Sequence, residues 1–382
     1  MGTLAGMRRL AGVLVVTLAL AGCSTGSTGG TAPSTKAPGD LKVEEVVGGL
    51  SHAWDIGFLP DGRILVTQRA GVLAIVDQGR ATQVKADFGD VQPRGEGGLM
   101  GMVVHPDFAS SRKFTTCQTS QKDVRLVTWQ LSADGLSAQR VKDPLLGGLP
   151  VNPSGRHSGC RPTIAADGAL LVGTGDTANG RYSQDPDSLG GKVLRLDLET
   201  GEPAAGNPIA GSRVYTYGHR NVQGVAVRPK DGKVFTAEHG PDVDDEVNVL
   251  KAGANYGWDP SQGGTVGGYD EDVPMTDLTR FPDAEPAVWS SGSPTEALAG
   301  AAFLTGAQWG DLDGALAVVA LKGAKLMLFT VTADGGVHSV AVPSQLDDKY
   351  GRLRAARLSP DGALYVTTSN GSDDKLLRVT RS

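Results

Sequence analysis

The sequence predicts an all-β protein, a six-bladed β-propeller of four-stranded antiparallel blades. Three observations point there. The 382 residues include 54 glycines, and Asp-Gly pairs stand between short runs of alternating apolar residues, which is how a hairpin reads in sequence. After residue 41 no window keeps apolar residues at i, i+3, i+4 and i+7, so helices are not expected. The third observation is a strand-turn-strand unit that recurs six times, with turns near residues 61, 107, 167, 231, 313 and 361. Successive turns lie from 46 (61 to 107) to 82 (231 to 313) residues apart, which suits four-stranded blades with variable insertions. A lone four-stranded sheet cannot cover both of its faces, whereas a ring of them buries each against a neighbour. A pair of β-sandwiches would account for the even hairpins but not for their number.

The clearest units are FLPDGRILVTQRAGVLAIV (58–76), TIAADGALLVGTGD (163–176), VAVRPKDGKVFTAEHG (225–240) and RLSPDGALYVTTSNGSDDKLLRV (357–379). Two weaker ones are VVHPDFASSRKFTTC (103–117) and WGDLDGALAVVALKGAKLMLF (309–329). The long interval after residue 231 contains SQGGTVGGYDEDVPMTDLTRFPDAEP. It reads as an insertion, 262–288, on one rim of the ring.

The N-terminus reads as an address. Arg8-Arg9 precedes an apolar run from Leu10 to Gly22, shorter than the roughly 20 residues a membrane-spanning helix needs. The run ends in Leu20-Ala21-Gly22-Cys23, which resembles the bacterial lipobox, where the cysteine is acylated and becomes the mature N-terminus. The implied organisation is a lipoprotein signal peptide (1–22), a flexible Ser/Thr/Gly/Pro tether (23–40) and the propeller (41–382). An ordinary secretory signal would export the protein equally. GCSTG (22–26) matches the serine-hydrolase pattern G-x-S-x-G, but that motif works on a strained strand-to-helix turn that a tether does not offer.

A net charge of −6 argues against nucleic acid as a partner, because phosphate neutralisation calls for a basic footprint. With Cys23 lipidated, Cys117 and Cys160 remain as a pair in an oxidising compartment, and a disulfide between them is expected. No Cys-x-x-Cys or His-x-x-x-His spacing suggests zinc.

Residues 151–162, VNPSGRHSGCRP, hold an imidazole, two guanidiniums and a thiol in a loop. Alone, a loop histidine is usually just solvated. In a propeller, however, the loops at one end of the channel converge, so distant residues can share a site. Five loop groups carry unusual polar density: RGEGGLMG (94–101), SGRHSGCRP (154–162) with GTGDTANGRYSQD (173–185), YGHRNVQG (217–224), EHGPDVDDEVN (238–248), and GRLRA (351–355) with LKG (321–323).

In this order, and with NYGW and the terminal SPDGALYV, these loops resemble the soluble quinoprotein sugar dehydrogenases, the glucose/sorbosone dehydrogenase family. The resemblance runs from about Trp54 to Arg378. It implies a six-bladed propeller that oxidises aldose sugars with pyrroloquinoline quinone (PQQ) and calcium. Carried over position by position, the general base falls on His157, the acid that orients it on Asp176, and the arginine beside the quinone oxygens on Arg220. Asn221 and Gln223 match neighbouring cofactor contacts, and Glu96 and Gln184 match pocket-lining positions. PQQ has three carboxylates and calls for cations; Lys322, Arg352 and Arg354 match the residues that bind them. Trp289 and Ser291 fall near a flanking aromatic and a hydroxyl.

Calcium would take the backbone carbonyls of Gly240 and Pro241, the hard oxygens it prefers. The acidic run DVDDE that follows reads as a solvated turn. His219 and His239 would support the pocket, His105 reads as structural, and His52 and His338 as surface residues. The expected partners are a sugar, a respiratory electron acceptor and, through the lipid, the cell membrane. A propeller that kept this scaffold but binds carbohydrate or protein without redox chemistry is the alternative. It would have no need of His157, Asp176, Arg220, Lys322 and Arg354 together.

Overall fold

The computed structural model describes residues 40–382 and, apart from them, Gly2. The expected signal peptide but for Gly2, Cys23 and all of the tether but Asp40 lie outside the described residues. From Leu41 onward, 24 strands form six four-stranded antiparallel sheets. Blade 1 spans residues 53–83, blade 2 99–149, blade 3 161–217, blade 4 222–290 and blade 5 298–341. Blade 6 comprises 353–381 and is completed by the strand Leu41–Leu50, which pairs antiparallel with Asp374–Arg381, Leu41 opposite Arg381. The two ends of the described chain therefore close the ring, leaving no open edge at the seam.

Each of the six turns read from the sequence joins the first and second strands of one blade. In blade 1 these strands are Ala53–Phe58 and Ile64–Gln68; in blade 6 they are Leu353–Leu358 and Leu364–Thr368. The first strands lie innermost and pack against one another around the channel. All six turns consequently sit on one face of the ring, the far face. The loops that enter first strands and leave second strands open on the opposite, near face.

Apolar side chains fill the layers between blades. Phe235 of blade 4 meets Phe303 of blade 5 edge-on at 5.1 Å, and Phe88 and Trp129 lie 4.5 Å apart beneath blades 1 and 2. Each such side chain contributes ~1.5–3 kcal/mol on burial. Cys117, on the strand Lys113–Thr119 of blade 2, is disulfide-bonded to Cys160, immediately before blade 3.

Two expectations need correction. Segment 309–329 does not open with a strand: Ala307–Leu312 is a 3-10 turn in which Trp309 is buried and donates from Nε1 to the Gly362 carbonyl at 2.8 Å. The inner strand of blade 5 lies upstream, at Leu298–Phe303, LAGAAF. Its residues are small because the neighbouring blade is so near; a Cβ on Gly300 would lie 2.5 Å from the Ala356 nitrogen. Such a strand carries no β-branched residue to mark it in sequence. The second correction concerns DVDDE. Asp245 and Glu246 are buried, and Asp245 accepts the N–H groups of Gly240 at 2.9 Å and Glu296 at 2.6 Å. It clasps the 238–248 loop to the entry of blade 5 and is not a solvated turn residue.

Candidate active site

His157 stands in the near-face loop that leads from the outer strand of blade 2, Ala138–Leu149, to the inner strand of blade 3, Arg161–Ile164. Its φ of +50° is left-handed, a conformation that costs a residue with a side chain roughly 1–3 kcal/mol. The surroundings hold it there. Its N–H donates to Glu96 Oε1 at 3.2 Å and its carbonyl accepts from the Thr177 N–H at 3.3 Å. Glycines let these loops approach: a Cβ on Gly175 would lie 2.0 Å from the His157 carbonyl oxygen, and one on Gly155 1.7 Å from that of Arg94.

Asp176, which follows the second strand of blade 3, is wholly buried, with Oδ1 2.7 Å from His157 Nδ1. The Ala178 N–H also donates to Oδ1, at 2.8 Å. Oδ2 accepts from the Trp258 indole at 2.8 Å and from the Tyr269 hydroxyl at 2.6 Å. With its Nδ1–H given to Asp176, a neutral His157 keeps its lone pair on Nε2, the arrangement a general base requires.

Arg220 enters from the loop before the inner strand of blade 4, Val222–Val227. Nη1 donates to the carbonyls of His239 at 3.0 Å and Gly240 at 2.9 Å, and Nη2 to Glu271 Oε1 at 2.5 Å. Burial would weaken its hold on its proton, but Tyr269, Asp176 and Glu271 outweigh that and keep it cationic. Its own N–H donates to Glu238, which also pairs with His219 Nδ1 at 2.9 Å. His219 stacks on Tyr256 at 4.7 Å, so it supports the loop from beneath.

Glu96 links three blades. Its Oε2 accepts from Asn221 Nδ2 at 2.9 Å and Gln223 Nε2 at 2.7 Å, while Gln223 Oε1 accepts from Arg354 at 3.1 Å. Burial pushes the Glu96 carboxyl up, but His157, His239 and Arg354 more than offset it, leaving it below its usual range. His239 goes the other way: burial drives it down to about 4, against the pull of Glu96, so it is neutral at pH 7. Arg354 is buried over the Trp54 ring at 5.3 Å, and burial lowers it to about 9.

His157, Asp176, Arg220, Glu96, Asn221, Gln223, His239 and Arg354 thus meet at the near end of the channel, beside Gly240. Lys322 and Arg352 are exposed on the same face; Lys322 Nζ contacts Thr295 Oγ1 at 3.2 Å, and Arg352 acts electrostatically on Arg354. Pro241 is half-buried. Gln184 serves the wall, donating to the Trp258 carbonyl at 2.9 Å and to Asn255 Oδ1 at 3.0 Å.

Trp289 and Ser291 do not join the cluster. Trp289 is on the outermost strand of blade 4, its ring edge-on to Phe329 at 5.1 Å in the layer between blades 4 and 5. The Ser291 hydroxyl accepts the Asp245 N–H at 3.0 Å. His105 is structural, bonded through Nε2 to Thr115 Oγ1 at 2.8 Å. His338 is exposed, whereas His52 is half-buried with its ionisation lowered first by burial and then by Arg69.

Three contributors were not assigned from the sequence: Trp258, Tyr269 and Glu271. All lie between the third and fourth strands of blade 4, Glu246–Val249 and Trp289–Ser290. This connection leaves from the far face, yet it does not stay on a rim. Asn255 forms a parallel bridge with Tyr217, on the outer strand of blade 3, so the chain climbs beside that strand to the near face. There Glu271 pairs with both Arg156 and Arg220. Trp258 ends the motif NYGW, through which this wall shows in the sequence.

The family model for glucose/sorbosone dehydrogenase matches residues 50–378. The chain belongs to that family. It is 30% identical over 356 residues to the aldose sugar dehydrogenase YliI of Escherichia coli K12, covering 90% of this chain and 94% of the relative. Among solved structures it is similar to the PQQ-bound form of an aldose sugar dehydrogenase from Streptomyces coelicolor, with a TM-score of 0.74, 32% identity and coverage of 90% and 99% of the two chains. The apo form of the soluble aldose sugar dehydrogenase of Escherichia coli superposes with a TM-score of 0.76 at 28% identity, covering 90% of this chain and all of that one, 100%.

Proposed function

We propose that the protein is a PQQ- and calcium-dependent dehydrogenase that oxidises an aldose at its anomeric carbon. We place it outside the cytoplasm, anchored to the membrane through Cys23 and passing electrons to a respiratory acceptor. The observation that carries the catalytic reading is the meeting of the His157–Asp176 pair with Arg220 and Arg354 at one end of the channel.

The residues present suit PQQ, a planar anion. Arg220 Nε, Arg354 Nε and His239 Nε2 are buried without a hydrogen-bond partner among the described residues. Atoms left so cost ~1–3 kcal/mol each, and a ligand rich in carboxylates and carbonyls would relieve that cost. Arg354, with Lys322 and Arg352 at the mouth, would hold carboxylates, and Arg220 would lie beside the quinone oxygens. The Gly240 and Pro241 carbonyls would serve calcium; that of Gly240 already accepts from Arg220 Nη1 at 2.9 Å, so an ion there would share or displace the guanidinium.

When bound, PQQ supplies a quinone that accepts hydride from the sugar. The chain supplies the rest. His157 Nε2 takes the proton of the anomeric hydroxyl. Asp176 fixes the tautomer and offsets the charge of the imidazolium that forms. Arg220 sets positive charge where negative charge develops. Glu96, held by Asn221 and Gln223, anchors the His157 backbone. The Cys117–Cys160 disulfide supports an oxidising compartment.

The test is titration of the purified protein with PQQ and calcium, followed by dye reduction with a panel of aldoses. A saturable change in the PQQ spectrum and aldose-dependent dye reduction are expected. No spectral change would sink the cofactor assignment; binding without dye reduction by any aldose would favour the redox-inactive scaffold.

A further inference from the structure

The two donors on Asp176 Oδ2 differ in how they are held. Trp258 is wholly buried and pinned through its backbone, its N–H donating to the Gly218 carbonyl at 3.0 Å and its carbonyl accepting from Gln184. Tyr269 arrives on the part-exposed strap that follows. The strap is shaped by its own bonds, the Asp270 N–H to the Pro260 carbonyl at 3.0 Å and Gln262 Nε2 to Asp270 Oδ2 at 2.5 Å. It is lashed down by Glu271, which grips Arg156, the neighbour of His157, and Arg220 on the other side of the base. Arg156 also lies over the Tyr269 ring at 5.6 Å. The phenol oxygen is thereby placed 2.6 Å from Asp176 Oδ2 and 3.3 Å from His157 Nδ1.

We propose that Tyr269 is a positioning residue for the base, occupying Asp176 Oδ2 so that Oδ1 serves His157 Nδ1–H, with Glu271 setting its place. A donor on Oδ2 draws charge away from Oδ1. It therefore restrains the proton affinity of the imidazole and keeps more of the base neutral. The hydroxyl stays a donor because burial, and next the Asp176 charge, hold its ionisation well above the ordinary tyrosine value. Asp176, Glu96 and His239 are the other titratable groups acting on His157, with Arg156 and Arg220 beyond them.

The inference rests on His157 being the base, and the experiment separates the two. Tyr269→Phe keeps the ring that faces His157 at 5.9 Å and Trp258 at 6.1 Å and removes only the hydroxyl. In the protein without cofactor, NMR of labelled histidine should show His157 titrating roughly one pH unit higher in the variant. In the PQQ-loaded enzyme the acid limb of kcat/KM should move up equally. At neutral pH, kcat should fall, by up to about tenfold for such a shift, with KM and PQQ affinity little changed. Glu271→Gln keeps the hydroxyl on the ring but loosens the strap that places it; because it also removes an anion that favours the imidazolium, its shift should be smaller than that of Tyr269→Phe. An unmoved His157 titration in folded Tyr269→Phe overturns the proposal; if that variant does not fold, a Glu271→Gln enzyme whose kcat at neutral pH equals that of the wild type overturns it. A shift without any aldose oxidation by the wild type would instead overturn the reading of His157 as base.

Discussion

Two of the four wholly buried aspartates among the described residues, Asp55 and Asp176, are held in opposite ways. Asp55, on the inner strand of blade 1, is held by permanent cations: Arg161 at 2.9 Å and Arg357 at 2.7 Å. Arg357 also donates to the Pro162 carbonyl at 3.0 Å, and the Met102 N–H donates to Asp55 Oδ2 at 3.0 Å. One carboxylate thus knots the inner strands of blades 1, 2, 3 and 6. Burial alone would raise its ionisation, yet the two arginines bring it below the usual range. Asp176 has no such cation among its hydrogen-bond partners; it is ringed by an imidazole, an indole, a phenol and a backbone N–H on three separate loops. The first arrangement is a lock, its proton count constant. The second suits the role proposed for His157, an imidazole whose charge changes during turnover.

The sharpest way to break this comparison is to neutralise each carboxylate in turn. Asp176→Asn should lower kcat by roughly 10³- to 10⁴-fold, because an amide no longer enforces the His157 tautomer, with little change in the melting temperature. Asp55→Asn should do the reverse. It strands the buried Arg161 and the half-buried Arg357 and should cost roughly 3–5 kcal/mol in denaturant unfolding, with turnover per folded molecule nearly unchanged. If Asp55→Asn abolished turnover without destabilising the fold, the division between lock and tool would be wrong.

A smaller effect sharpens the contrast. Glu246 is another buried acid, with neither a cation nor a full ring of donors, and burial followed by repulsion from Glu238 raises it from the usual 4.5 to about 8. The folded state therefore holds more protons than the unfolded chain between these values, so this group's stabilisation is complete below pH 4.5 and lost as pH rises through 8. Lys192, lowered by burial from 10.5 to about 7, acts oppositely: stability rises with pH from 7 to 10.5 as the unfolded chain binds the extra proton. His239, lowered from 6.5 to about 4, opposes Glu246 below pH 6.5, so the effect is read as a difference: the melting midpoint of the wild type should fall relative to that of Glu246→Gln as pH rises from 5 to 8, and a difference that does not change with pH would show Glu246 to be ionised in the fold.

The lock and the tool were not equally legible in sequence. Five of the six far-face turns announce themselves because Asp-Gly beside apolar strand runs is a local code, the turn near 107 being the exception, and from them the blades follow. The near-face residues His157, Asp176, Arg220, Glu96 and Arg354 sit directly before first strands, on them, or after second strands, so motif order was enough to find them. Tyr269 and Glu271 were not, since Tyr269 reaches Asp176 across 93 residues from a strap whose path along blade 3 depends on tertiary contacts. Trp289 was misplaced for a related reason: between NYGW and that tryptophan the excursion removes any register by which to count. The Asp55 lock was silent because Arg161 and Arg357 look like ordinary strand arginines until the inner strands are brought together.

The central claim is that His157 is the base of a sugar-oxidising site. Wild type and His157→Ala, each loaded with PQQ and calcium, should be compared for PQQ affinity and for aldose-dependent dye reduction. PQQ binding should stay within about threefold of wild type, and turnover should be lower by roughly 10²- to 10⁴-fold. Turnover by the alanine variant within about twofold of wild type, at equal PQQ occupancy, would contradict the central claim.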